Sequence, residues 1–176
     1  MNLKLKVCLI GATGVGKTSL AERYLHSVFS DVYRTTVGVK IETIEVVRGS
    51  RVVQLVIWDI SGEDEFQRVP SSYVVGSAGY LLVLDGTRRG TVDMGLTLMR
   101  RVRESAGNIP FVAFVNKQDL EASWEVQPDD LRPIADCAFA VVHGSACTGA
   151  GVHEAFDLLA DAVLERYAPR EGALWT

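Results

Sequence analysis

The stretch Gly11-Ala12-Thr13-Gly14-Val15-Gly16-Lys17-Thr18 restricts the possible folds more than any other part of the chain. It follows an apolar run, residues 4–10, that reads as a β-strand. It leads into residues 18–26, where Leu20, Tyr24 and Leu25 recur at helical spacing. A GxxxxGK[ST] loop between strand and helix needs its glycines, because backbone N–H groups must curl around phosphate oxygens. The helix that follows turns its positive end to the same place. In that geometry Lys17 bridges the β- and γ-phosphates and Thr18 offers its hydroxyl to Mg²⁺.

The remaining chain alternates apolar runs with amphipathic stretches. Residues 28–38 form a polar loop. Residues 39–47 and 51–59 read as strands of a hairpin around Arg48-Gly49-Ser50. Residues 63–75 are irregular or a short helix. The continuous YLLVLD of 80–85 predicts a fully buried strand, followed by a helix over 91–105 and a strand over 111–115. A short helix over 129–136 contains Pro133, which leaves its start and length open. A strand over 138–143 and a closing amphipathic helix over 152–167 complete the order, the latter with Phe156, Leu159, Val163 and Tyr167 on one face. Parallel strands need crossovers, so this order predicts an α/β fold. It has a six-stranded, mostly parallel sheet with one antiparallel strand and helices on both faces. Ligands of such sheets sit beyond the carboxyl ends of the strands. Residues 11–18, 59–62, 116–119 and 145–147 all follow predicted strands, or the short turn after one.

Length and composition agree. A chain of 176 residues suits one domain, 1–176, with 48% hydrophobic and 23% charged residues. A net charge of −4 argues against a general nucleic-acid binder. Cys8, Cys137 and Cys147 form no CxxC pair, which favours a reduced, cytoplasmic setting, with Cys8 as a small core residue. The opening MNLKLKVCLIGA has some features of a signal peptide, but its short apolar run flows into a glycine-rich turn and reads better as a first strand. No run approaches the ~18 apolar residues of a membrane helix. The closing REGALWT has no cysteine and so no prenylation motif.

Asn116-Lys117-Gln118-Asp119 follows the strand FVAFV. A carboxylate here can accept from both the N1–H and the exocyclic amine of guanine. Adenine lacks that donor pair, so such a site rejects ATP through an unpaired buried group.

The stretches GATGVGKTS, FSDVYRTTVG, WDISGEDEF, NKQD and GSACTG together resemble a Ras-superfamily small GTPase, most similar to the Rab-like branch, over essentially the full length. The resemblance implies a P-loop GTPase (G domain) fold, binding of GTP or GDP with Mg²⁺, and slow GTP hydrolysis. Gly11, Thr13, Gly14, Val15, Gly16, Lys17, Thr18 and Ser19 would surround the phosphates. Phe29 would flank the base and Tyr33 lie over the phosphates. Thr36 would ligate Mg²⁺ and contact the γ-phosphate through its backbone. Asp59 would hold Mg²⁺ through water, and Gly62 would donate its N–H to the γ-phosphate. Asn116 and Lys117 would brace the base pocket, Asp119 would read guanine, and Ser145, Ala146 and Cys147 would complete the pocket. Catalysis would fall to Lys17, Thr36, Gly62 and Glu63. Effectors and regulators would read the surface of residues 31–39 and 63–75. The segment LDGTRRGT, where many Rab-like proteins have an FDxT-type sequence, is similar to Ras-like GTPases of prokaryotes. Those often lack lipid anchors and can be regulated by roadblock-type proteins.

Three positions depart from the family pattern. Glu63 stands where the family usually has glutamine. A glutamate can accept from the attacking water but cannot donate to the γ-phosphate, which implies slow hydrolysis; the competing reading makes it a general base. Thr13 replaces glycine or serine and would crowd an incoming arginine finger. Cys147 replaces the lysine of SAK and uncovers part of the base, implying faster exchange. Arg34 and Arg68 are candidates for a finger supplied in cis, or are ordinary solvated arginines. Glu63 also leaves open a GTP-holding binding module without turnover, whereas NKQD disfavours a P-loop ATPase or small-molecule kinase.

Overall fold

Alternation of side chains on continuously apolar strands sets the architecture. The computed structural model describes residues 3–30, 37–48, 51–60 and 70–167. Among the described residues, six strands form one sheet: β1 (Leu3–Ile10), β2 (Val39–Arg48), β3 (Arg51–Ile60), β4 (Gly79–Asp85), β5 (Phe111–Asn116) and β6 (Ala140–His143). Four α-helices among those residues cover it: α1 (Lys17–His26), α2 (Gly90–Ala106), α3 (Pro128–Ala135) and α4 (Val152–Tyr167). The strand order is β2-β3-β1-β4-β5-β6, antiparallel between β2 and β3 and parallel elsewhere.

Successive residues point to opposite faces, so two cores form. Val7, Leu9, Leu81, Val83 and Phe114 meet Leu20 and Tyr24 of α1 and Phe156, Leu159 and Val163 of α4. Cys8, Ile10, Leu82, Leu84 and Ala113 meet Val92, Leu98 and Val102 of α2 and Leu131 and Ile134 of α3. Every residue of β4 and β5 is buried, as a strand covered on both faces requires. Tyr24 stacks on Phe156 with ring centroids 3.9 Å apart, which ties α1 to α4. Cys8 is fully buried, as expected of a core thiol, with Sγ 3.1 Å from the Ser77 hydroxyl.

Several boundaries differ from the sequence reading. Arg48 belongs to β2 and pairs with Arg51, where the pattern put it in the turn. β6 begins at Ala140 rather than residue 138. α3 starts at Pro128: proline is suited to a first helical position, and the Asp130 carboxylate accepts the Gln127 N–H at 2.9 Å. Pro133 lies inside this helix on an exposed face. Tyr167 is 41% exposed and does not continue the apolar face of α4, because it stands at the last turn, under the Arg166 guanidinium. Of residues 63–75, only those from Pro70 on are described, with one 3₁₀ turn at Ser71–Tyr73. No described helix is long and apolar enough to cross a membrane.

Candidate functional site

The carboxyl ends of β1, β3, β4, β5 and β6 gather the polar residues singled out above. The loop after β1 presses against β4 so closely that a Cβ on Gly11 would lie 2.3 Å from the Val83 carbonyl oxygen. Gly16 takes a left-handed conformation (φ 100°), and a Cβ there would lie 2.4 Å from Asn116 Nδ2. Asn116, only 3% exposed, donates from Nδ2 to the Val15 carbonyl at 2.8 Å. Its Oδ1 accepts the Ala146 N–H at 2.9 Å, so one amide staples the loop after β1 to the loop after β6. Lys117 follows in a left-handed conformation (φ 71°) and donates to the Gly14 carbonyl at 3.1 Å.

The charged centre lies between α1 and β3. Lys17 is buried, with Nζ donating to the carbonyls of Gly11 (3.1 Å) and Ala12 (3.0 Å). Burial pushes its pKa down to about 8; the nearby Asp59 carboxylate opposes that shift and the positive charge of Arg88 adds to it. The Thr18 hydroxyl donates to Asp59 Oδ2 at 2.6 Å. The other oxygen of Asp59 is buried and has no hydrogen-bond partner among the described residues. Burial raises the Asp59 pKa, against the hydrogen bond from Thr18 and the charge of Lys17. A buried carboxylate oxygen without a donor, beside a hydroxyl oxygen, suits a hard divalent cation such as Mg²⁺. No group of three or more His, Cys, Asp or Glu with metal-ligand geometry occurs among the described residues.

At the loop after β6, Ser145 donates its hydroxyl to Asp119 Oδ1 and accepts the Thr148 N–H at 3.1 Å. Asp119 is exposed and Ser145 and Ala146 are buried. Arg23 of α1 reaches across, Nε donating to the Ala146 carbonyl at 2.9 Å and Nη2 to the Cys147 carbonyl. Its guanidinium lies 5.9 Å from the ring of Phe29, which packs against the first core. The Cys147 side chain is exposed at the rim.

Arg23, Asp85 and Arg88 were given no site role by the motif reading. Asp85, fully buried at the end of β4, accepts from Lys117 Nζ at 2.6 Å and from Arg88 Nε at 2.8 Å on one oxygen. Its other oxygen accepts the Thr87 N–H (3.0 Å) and hydroxyl (2.7 Å). Burial alone would raise its pKa; the hydrogen bonds from Lys117, Thr87 and Arg88 outweigh burial and lower it. The available sequence signal was a carboxylate ending the wholly apolar YLLVLD, at the same end of the sheet as the other motifs. The structure thus brings together Gly11, Thr13, Gly14, Val15, Gly16, Lys17, Thr18, Asp59, Asn116, Lys117, Asp119, Ser145, Ala146 and Cys147, with Phe29 at the side and Ser19 in the first turn of α1. Tyr33, Arg34, Thr36, Gly62, Glu63 and Arg68 lie outside the described residues.

The model of the Ras family matches residues 6–165. Among curated proteins, the chain is similar to the Ras-related protein Rab-25 of Bos taurus, of Oryctolagus cuniculus and of Homo sapiens, each 36% identical over 136 residues. These matches take in 77% of the chain and 64% of each relative, so the chain spans under two thirds of the length of the relatives it matches.

Proposed function

The chain belongs to the Ras family, and we propose that it is a guanine-nucleotide switch that binds GTP or GDP with Mg²⁺ and hydrolyses GTP slowly. The observation that carries this reading is the Asn116 staple. It holds the phosphate loop and the Ser145–Ala146 turn at one place, with Asp119 beside that turn.

Each residue then has a definable task. The N–H groups of residues 14–16 take β-phosphate oxygens, and Lys17 leaves the loop carbonyls to bridge the β- and γ-phosphates. Thr18 and Asp59, with Thr36, are the residues that would hold Mg²⁺, which when bound neutralises charge on the terminal phosphates. Asp119, oriented by the Ser145 hydroxyl, accepts the guanine donor pair, and Phe29 closes one side of the base. Gly62 donates its N–H to the γ-phosphate and Tyr33 covers it. Glu63, lacking the amide of glutamine, orients the attacking water less well, so turnover depends on a partner. The chain acts as a single domain, 1–176, in the cytoplasm, and residues 31–39 and 63–75 present different surfaces to effectors and regulators in the two nucleotide states.

Glu63 favours a second reading, a GTP-holding module with no turnover. Equilibrium binding of GTP, GDP and ATP, followed by single-turnover hydrolysis of GTP by the native chain and by Glu63→Gln, tests both. The switch reading expects binding of both guanine nucleotides, little ATP binding, a native rate at or below about 10⁻⁴ s⁻¹ and a faster Glu63→Gln protein. No hydrolysis by either form selects the holding module. A fast native rate that Glu63→Gln abolishes makes Glu63 part of the chemistry, and preference for ATP overturns the guanine assignment.

A further inference from the structure

We propose that Arg88 is a positioning residue of the nucleotide site: anchored on Asp85, it holds the Thr13 carbonyl outward and so turns the Gly14 N–H toward the phosphates. This rests on the guanine-nucleotide reading above and gives a role to a residue of the LDGTRRGT segment to which the sequence assigned none.

A trans peptide unit is planar, with its C=O and N–H pointing in opposite directions. Each carbonyl of the phosphate loop held from outside therefore aims the next residue's N–H inward. Three successive carbonyls are held this way. Asn116 Nδ2 takes that of Val15 at 2.8 Å, Lys117 Nζ that of Gly14 at 3.1 Å, and Arg88 Nη2 that of Thr13 at 3.0 Å. The N–H groups so oriented belong to Gly16, Val15 and Gly14. Asn116 and Lys117 come from the NKQD stretch after β5, whereas Arg88 comes from the turn after β4.

Asp85 makes the set cooperative. The same oxygen, Oδ2, accepts from Lys117 at 2.6 Å and from Arg88 Nε at 2.8 Å. The carboxylate has no exposed surface, and its second oxygen is taken up by Thr87. Arg88 itself is 47% exposed, so its burial contributes little and its fork geometry, Nε to Asp85 and Nη2 to Thr13, is the feature that counts. Its neighbour Arg89 faces the other way, pairing with Asp130 at 2.9 Å and Asp93 at 3.8 Å on the surface.

The test is the release rate of fluorescent N-methylanthraniloyl-GDP and of a non-hydrolysable GTP analogue carrying the same group, with Mg²⁺ present. Wild-type chain, Arg88→Ala, Arg88→Lys and Arg89→Ala are compared, each with a melting curve of the nucleotide-free protein. Losing one charge-assisted hydrogen bond predicts release about tenfold faster in Arg88→Ala for both nucleotides. Arg88→Lys is intermediate, since lysine keeps the charge but cannot grip Asp85 and Thr13 as a fork. Arg89→Ala releases at the wild-type rate, and the melting curves show which variants are folded at the assay temperature. Release within twofold of wild type in Arg88→Ala overturns the proposal, as does equal acceleration in Arg89→Ala. Should Arg88→Ala fail to fold, Arg88→Lys decides: release more than twofold faster than wild type upholds the proposal and an unchanged rate overturns it. A wild-type chain that holds no guanine nucleotide overturns the functional reading as well, and the wild-type measurement separates that failure from the first.

Discussion

Replacing Asn116 by alanine removes one amide that serves two loops, and the structure sets the size of the effect. The side chain is 3% exposed, donates to the Val15 carbonyl at 2.8 Å and accepts from the Ala146 N–H at 2.9 Å. Alanine leaves both backbone groups without that partner in a largely buried place. Stranding a buried polar group costs about 1–3 kcal/mol, so Asn116→Ala loses about 2–5 kcal/mol in the nucleotide-free protein. For a chain of this length the melting temperature then falls by roughly 5–15 °C. On the guanine-nucleotide reading, nucleotide release accelerates as well, because the loops after β1 and β6 are no longer tied. Urea unfolding and thermal melting measure the first effect, and displacement of a fluorescent guanine nucleotide the second. Asn116→Asp separates the two bonds: it keeps an acceptor for Ala146 but sets a carboxylate oxygen against the Val15 carbonyl, and should be at least as harmful at neutral pH. Gln118→Ala, at an exposed neighbouring position, should stay within about 0.5 kcal/mol of wild type. An Asn116→Ala protein within about 1 kcal/mol of wild type, with unchanged nucleotide release, would refute the staple.

Two further predictions follow from the same end of the sheet. Gly11→Ala forces a Cβ to within 2.3 Å of the Val83 carbonyl oxygen, so β1 and β4 must separate locally; overpacking of this kind costs about 1–3 kcal/mol and should appear as a lower urea midpoint. Asp85 is ionised in the fold to lower pH than in the unfolded chain, because its hydrogen bonds with Lys117, Thr87 and Arg88 outweigh burial. Its contribution to stability is therefore fully present above the ordinary carboxyl value of 3.8 and is lost as pH falls through the depressed folded value. Asp85→Asn should be less stable than wild type at pH 7 and the gap should close on acidification, as read by urea unfolding across a pH series. A gap that stays constant would contradict the ionised hub.

The fold, and the gathering of the described motif residues at one end of the sheet, were legible in the linear pattern because their determinants are local or periodic. A continuous apolar run such as YLLVLD has no polar face to show to water, so it must lie inside a sheet covered on both sides. The glycines and Lys17 of the phosphate loop follow from the chemistry of one strand-to-helix turn. Boundaries were less legible at α3, where Pro133 drew attention and the true marker was Pro128 at the first helical position. Tyr167 followed the helical period yet is exposed, because periodicity does not say where the covering sheet stops. The contacts that only the tertiary structure decided are those between residues far apart in the chain. Arg23 reaches the Ala146 carbonyl across 123 positions, Asn116 reaches the Val15 carbonyl across 101, and Arg88 reaches the Thr13 carbonyl across 75. Nothing in the spacing of these residues encodes such pairings. They arise because parallel strands bring all their carboxyl ends to one edge of the sheet, where a carbonyl left over by one loop meets a donor carried by another.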